Sequence, residues 1–290
     1  MDVASSNSNK LETAQKALPK WLQKLTSLDV IAPAAVGALV LIIWEGLVRL
    51  LSIPPYLLPS PSNIFTTAIA SWGELFPSLM ITLGITIVAF LLAAVSGFLV
   101  SVLFVQSEWI ERSLFPYAVV LQTTPIVAIA PLIIIWTRRL FPDEYSTFAA
   151  LVICAWIVAF FPIVSNTTLG LKSVDRNLKE VFQLYQASRW QTLLYLRLPS
   201  ALPYFLGGLK ISGGLALIGA VVAEFVAGTG GARSGIAYQI LMASYNLQIP
   251  KMFAALLLTT LLGVLIFVVL TAISNWILSG WHESAVKGEP

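Results

Sequence analysis

One glutamate inside an apolar stretch, a Gln-Thr-Thr-Pro run inside another, and a single polar loop hold most of the residues that could do chemistry in this chain. Glu224 is followed by Gly228, Gly230 and Gly231, and an acid there could bind an ion, line a pathway or pair with a neighbour such as Arg233. Gln122, Thr123 and Thr124 precede Pro125, which removes a backbone donor and frees a carbonyl one turn back, so a helix there should bend or break. Broken helices tend to line cavities. Trp136 and Asn166 are further lining candidates. Catalysis has little to rest on. With one cysteine (Cys154) and one histidine (His282), a disulfide, a metal site and a serine–histidine triad all lack partners, and no catalytic or metal residue is expected.

These residues sit in a chain of 290 residues that is 58% hydrophobic and 11% charged, with mean hydropathy +0.86. Soluble domains average about 25% charged residues, so the composition points to an integral membrane protein. A net charge of +3 is too dilute for nucleic-acid binding. The windows 75–107, 113–137, 145–171 and 252–281 are free of charge and long enough to cross a bilayer. Residues 30–51 and 203–228 are weaker, because they carry Glu45 and Arg49, and Lys210 and Glu224. The expectation is an all-α membrane protein of six transmembrane helices, near 30–51, 78–105, 114–137, 147–170, 203–228 and 253–279.

With the N-terminus inside, twelve of the seventeen basic residues fall on the inner side, counting Lys210 at the inner end of the fifth span. Five fall outside, including Arg138 and Arg139, and N-in/C-in follows. Lys20 and Lys24 before Val30 resemble the start of a signal peptide, but the apolar stretch runs on to Trp44, so an uncleaved first span is expected. The chain then divides into an inner tail 1–29, a transmembrane domain 30–279 and an inner tail 280–290.

Two connections are long. The outer loop 52–77 holds Pro54, Pro55, Pro59 and Pro61, then a stretch that Ser62 or Asn63 could cap as a short helix ending before Pro77. The inner loop 171–202 is the most charged stretch, yet Val181, Phe182, Leu184, Tyr185, Trp190, Leu193, Leu194 and Leu196 give it a broken apolar face. Two short helices joined near Gln186–Ser188 would present that face, either to the chain's own bundle or to a partner.

The order Glu180-Val181-Phe182, Gln186-Ala187-Ser188-Arg189-Trp190, Leu196-Arg197-Leu198-Pro199 resembles the cytoplasmic permease signature of binding-protein-dependent ABC importers. Leu58-Pro59-Ser60-Pro61, the Pro125–Leu132 run, Gly208-Leu209-Lys210 and Ala223-Glu224-Phe225 are similar to the nitrate/taurine/sulfonate branch, and the resemblance covers about residues 55–282. It departs where the second Ala of the signature is Phe182 and its Gly is Gln186. Glycine would allow positive φ at that turn without steric cost, so either the turn is right-handed throughout or Gln186 is strained.

The resemblance implies a type I ABC importer permease fold in a bacterial inner membrane, with loop 171–202 coupling to a separate ATPase through Glu180, Val181, Phe182, Gln186, Ala187, Ser188, Arg189, Trp190 and Pro199. It further implies ABC ATPase subunits, an extracytoplasmic substrate-binding protein and a second permease copy as partners, within membrane lipid. No G-x-x-x-x-G-K-[ST] occurs in the chain, so ATP and Mg would reside on the partner and no cofactor is expected here. The solute would be small and polar or anionic: a sulfonate, nitrate or bicarbonate, or a vitamin precursor. The alternative is an ion-coupled secondary transporter using Glu224. That class predicts an inverted repeat, which the two halves do not show.

Overall fold

The computed structural model describes residues 28–227 and 234–279. The expectations for the tails, Arg233, Gly228, Gly230, Gly231 and His282 lie outside the described residues. Every regular element described is helical: α1 Leu28–Leu50, α2 Pro61–Ala70, α3 Trp72–Gln106, α4 Glu108–Thr123, α5 Ile126–Leu140, α6 Asp143–Lys172, α7 Arg176–Leu184, α8 Arg189–Thr192, a π-helical turn Leu193–Arg197, α9 Leu198–Ala227, α10 Ile236–Tyr245 and α11 Ile249–Leu278. Contacts divide the chain into two units, Met1–Thr67 and Ala68–Pro290.

In the first unit, α1 is long and apolar enough to span a bilayer. It ends with Ser52 at φ 48°, where Ser52 N donates to Arg49 O (3.2 Å) and Ile53 N to Val48 O (3.0 Å). These paired bonds close the orphan carbonyls of a helix C-terminus. The cap of α2 lies earlier than expected, at Ser60: its Oγ accepts from Asn63 N (3.3 Å), and Pro61 takes the first helical position. Glu45 then accepts from Ser62 N (2.9 Å), Ser62 Oγ (2.8 Å) and Arg49 Nε (2.6 Å). A carboxylate inside an apolar helix thus lies on the N-terminus of another helix, where unpaired N–H groups favour negative charge.

In the second unit, α3, α6, α9 and α11 are each at least 30 residues long. At 1.5 Å per residue that is about 45 Å or more, enough to cross a core of about 30 Å with turns to spare at either end. The third expected span is not one helix. α4 and α5 meet at 101°, and each, at about 22–24 Å, is too short to cross alone. The sequence dictates this break. Pro125 has no N–H to continue the helix, and its ring pushes Thr124 to an extended conformation (φ −69°, ψ 125°). The described residues therefore hold five helices long and apolar enough to span, or six if the bent pair counts as one.

α6 is the central helix, packed against α3, α5 and α9 through small residues. Ala89, Ala130, Ala150, Cys154, Ala155, Ala220 and Ala223 fill a buried cluster with Ile85 and Ile133. Without a hydrophobic drive between helices in lipid, small side chains and interhelical hydrogen bonds hold such contacts. Ser212 Oγ donates to Ala159 O (2.7 Å) and Ser101 Oγ to Val164 O (3.1 Å). The glycines of the fifth span divide into two sets. A Cβ at Gly219 would stand 2.8 Å from Ala155 Cα, and Gly208 and Gly213 are similarly enclosed, while Gly207 and Gly214 have nothing within 4 Å. Gly219→Val should therefore push α9 off α6 at the backbone and cost about 2–3 kcal/mol, read as a fall in the thermal midpoint of the detergent-solubilised protein. Gly214→Val should leave that midpoint unchanged.

Candidate functional site

The loop between α6 and α9 is built as a rigid object. Asp175 caps α7, accepting from Asn177 N (2.7 Å) and Leu178 N (3.3 Å). α7 ends on Gln186 at φ 51°: Gln186 N donates to Gln183 O (2.9 Å) and Ala187 N to Phe182 O (3.0 Å). This is the double-bonded C-terminal turn that glycine adopts at no steric cost. Of the two alternatives open for this turn, the structure shows Gln186 left-handed. Ser188 then opens α8 with a reciprocal capping box, its Oγ accepting from Gln191 N and Gln191 Oε1 accepting from Ser188 N. The helix continues through the π turn, in which Leu198 N donates to Leu193 O. Pro199 follows immediately and has no N–H for the Tyr195 carbonyl, which favours the wider turn.

One side of this loop is anchored. Leu193 and Leu196 are buried, Arg197 Nη1 donates to Val105 O at the end of α3 (3.2 Å), and Lys172 bridges Glu111 (2.5 Å). The other side is bare. Leu184 is 83% exposed, Tyr185 84% and Trp190 68%, and Val181, Leu194 and Tyr195 are exposed with them. Val181, Phe182, Tyr185, Ala187, Gln191 and Tyr195 line a groove of about 360 Å³. Most of the loop's apolar face is therefore not spent on the chain's own bundle. Glu180 pairs with Arg176 at 3.0 Å on the exposed face of α7, where such a pair adds little stability. Arg189 is exposed at the start of α8.

The membrane-embedded candidates do not converge. Gln122, Thr123, Thr124 and Pro125 lie at the α4–α5 break, where Thr123 Oγ1 donates to Val119 O (3.1 Å) and Thr124 Oγ1 to Val120 O (2.6 Å). Trp136 is 60% exposed on α5, and Asn166 Nδ2 on α6 donates to Pro162 O (2.8 Å). No described hydrogen bond or ion pair links these residues to one another or to Glu224.

Glu224 is buried at the far end of α9. Thr82 Oγ1 of α3 donates to its Oε1 (2.7 Å) and Ala237 N of α10 to its Oε2 (3.0 Å), while Ile236 N donates to Thr82 Oγ1 (2.9 Å). The N-terminus of α10 is thus capped by side chains from two other helices. Gly235 has to be glycine, because a Cβ there would collide with the Glu224 carboxylate. Thr82 and Gly235 escaped the sequence reading: Thr82 lies 142 residues from its partner, in a window that reads as uniformly apolar.

Long membrane helices around small-residue contacts, a broken third span and a rigid loop with a bare apolar face define a multi-pass permease. The chain belongs to the family described as "Binding-protein-dependent transport system inner membrane component", which matches residues 93–279. Among its relatives is the formylaminopyrimidine transport permease protein ThiX of Halalkalibacterium halodurans, 34% identical over 89% of this chain and 98% of that one. SsuC of Bacillus subtilis, provisionally named as an aliphatic sulfonates transport permease protein, is 33% identical over 78% of this chain and 79% of its own. A chain of the MetNI methionine ABC transporter in an inward-facing conformation superposes with TM-score 0.61, covering 72% of this chain and 98% of that one at 19% identity. That likeness shows the fold, a type I ABC importer permease. The chain is therefore a multi-pass inner-membrane translocation subunit of a binding-protein-dependent importer, within the nitrate/sulfonate branch, and not an ion-coupled carrier.

Proposed function

We propose that this permease carries a small polar or anionic solute, delivered by an extracytoplasmic binding protein, and that loop 171–202 is its docking element for a cytoplasmic ATPase. The observation that carries the docking reading is the exposure of Leu184, Tyr185 and Trp190 on a loop whose every helix end is capped. A rigid, amphipathic, partly apolar protrusion is suited to bury itself in another protein's groove. Glu180, Val181, Phe182, Gln186, Ala187, Ser188, Arg189 and Trp190 would form the contact, with Pro199 setting the turn behind it. In this reading ATP and Mg are held by the ATPase and this chain binds no cofactor. The bias of basic residues supports N-in/C-in, which puts the loop on the ATPase side. The family's organisation supports a second copy of the chain completing the pathway. The relatives' names span an aminopyrimidine and sulfonates, and the solute class is drawn from that range. Gln122–Pro125, Trp136, Asn166 and Glu224 remain the candidates for lining the pathway.

The test is purification of the full chain from its own membrane. A P-loop ATPase should accompany the wild type, and Trp190→Asp should reduce its recovery about tenfold, as burial of one charge in an apolar contact demands, with helicity and thermal midpoint unchanged. Recovery of the wild type without an ATPase, or full recovery with Trp190→Asp, overturns the docking reading.

A further inference from the structure

Three cavities run end to end where the loop 171–202 meets α3, α4 and α6. The first, of about 310 Å³, has Gln106 and Arg189 at its rim and Val105, Lys179 and Arg197 on its wall. Those last three residues also line a second, of about 420 Å³. The second shares Glu108, Glu111 and Lys172 with a third, of about 410 Å³, which is walled further by Phe115 and Pro116 of α4. The helices around them fix their level. α3 ends at Gln106 and α6 at Lys172, and both are long and apolar enough to span, so the first two cavities lie at one end of the membrane helices. The third turns inward along α4, which runs from Glu111, bonded to Lys172, to Ala118, packed with Phe160.

The charges along this path are unevenly matched. Both acids that line it are already paired, Glu111 with Lys172 (2.5 Å) and Glu108 with Arg112 (3.1 Å). Arg176, on the wall of the second cavity, is paired with Glu180 (3.0 Å). Lys179 has no ion pair or hydrogen bond among the described residues, and Arg197 spends one of five donors on the Val105 carbonyl. Two cations on a shared wall with no counter-charge repel each other. An anion with several acceptor oxygens between them relieves that repulsion and fills the guanidinium's remaining donors.

We propose that this path binds an anionic phospholipid, with its phosphodiester held between Lys179 and Arg197 and an acyl chain laid along Phe115 and Pro116. A soluble phosphate would use only the basic end. The connected cavity that descends along α4 is what a headgroup with a chain attached requires, and Trp109, next to Glu108, is 77% exposed, as an indole at a membrane interface is. Basic pockets between spanning helices take anionic headgroups by this chemistry. The inference stands on the membrane fold and does not depend on the docking reading.

The test is native mass spectrometry of the full chain in detergent, with whatever subunits accompany it, titrated with phosphatidylglycerol and with phosphatidylcholine. The wild type should retain phosphatidylglycerol in preference. Lys179→Gln should lower that preference about fivefold, the effect of one basic residue at an anionic membrane surface, and Lys179→Arg should restore it. Arg197→Gln, which keeps a donor for the Val105 carbonyl, should lower it by a similar factor. Arg138→Gln, at the opposite end of α6 from Lys172, should leave it unchanged. A preference that moves less than about twofold with both Gln variants overturns the inference. Displacement of the lipid by millimolar inorganic phosphate overturns the lipid assignment and makes the site one for a soluble anion. A preference present in the isolated chain but lost in a complex with an ATPase also overturns it, because Lys179 and Arg197 would then serve the protein contact.

Discussion

Glu224→Ala is expected to destabilise the permease by about 2–4 kcal/mol, because one buried N–H at the start of α10 loses its acceptor and the hydroxyl that caps the other loses its orienting partner. Ala237 N is left with no acceptor, and Thr82, which holds Ile236 N, loses the group that orients its hydroxyl. Glu224→Gln should recover most of the loss. Its amide oxygen accepts from Ala237 N, and its NH₂ donates to Thr82 Oγ1, whose own proton turns to the Ser78 carbonyl already 3.3 Å away. Thermal unfolding in detergent measures both variants. Combining Glu224→Ala with Thr82→Val should cost less than the sum, since the two side chains serve one cap. A Gln variant as unstable as the Ala variant would show that charge, and not hydrogen bonding, is what the site requires.

The second large effect lies in the turn at Gln186 and has opposite signs. Gln186 holds φ 51° at the end of α7, a conformation that costs an L-residue about 1–2 kcal/mol. Gln186→Gly should remove that strain and raise local stability by about 1 kcal/mol, read as stronger amide-exchange protection at Ala187 N, which closes the turn on Phe182 O. Gln186→Ile should do the reverse, since a β-branched residue resists this region most strongly. It should open the turn, re-aim Tyr185 and Trp190, and reduce ATPase recovery as Trp190→Asp does. Similar recovery with Gly and Ile at this position would mean that the turn does not set the contact.

Local chemistry was legible in the sequence, and distant pairing was not. Pro125 announced the α4–α5 break because a missing N–H and a pre-proline residue act within one turn. The two helices around Gln186–Ser188 were legible for the same reason, through caps and apolar spacing. The ends of the spans were not. Helices continue past the apolar window when their polar ends find partners, as Arg197 does on the Val105 carbonyl, and so α9 begins before the window that was read as its start. The partnership of Glu224 with Thr82 depends on packing across 142 residues, which no local pattern records. Glu45 and Glu224 share a solution that was equally hidden: each spends its charge on the start of a short helix.

The continuity of the helix from Arg189 to Ala227 over 39 residues makes it a lever. Trp190 at one end and Glu224 at the other are about 50 Å apart along the axis. A tilt of about 5° displaces one relative to the other by about 4 Å, more than the length of a hydrogen bond. Any movement of the loop as a rigid extension of α9 would therefore bear on the cap of α10 at the other end of the helix. The π turn widens the hydrogen-bond ladder of this rod and Pro203 interrupts it, so these are the places where it would bend.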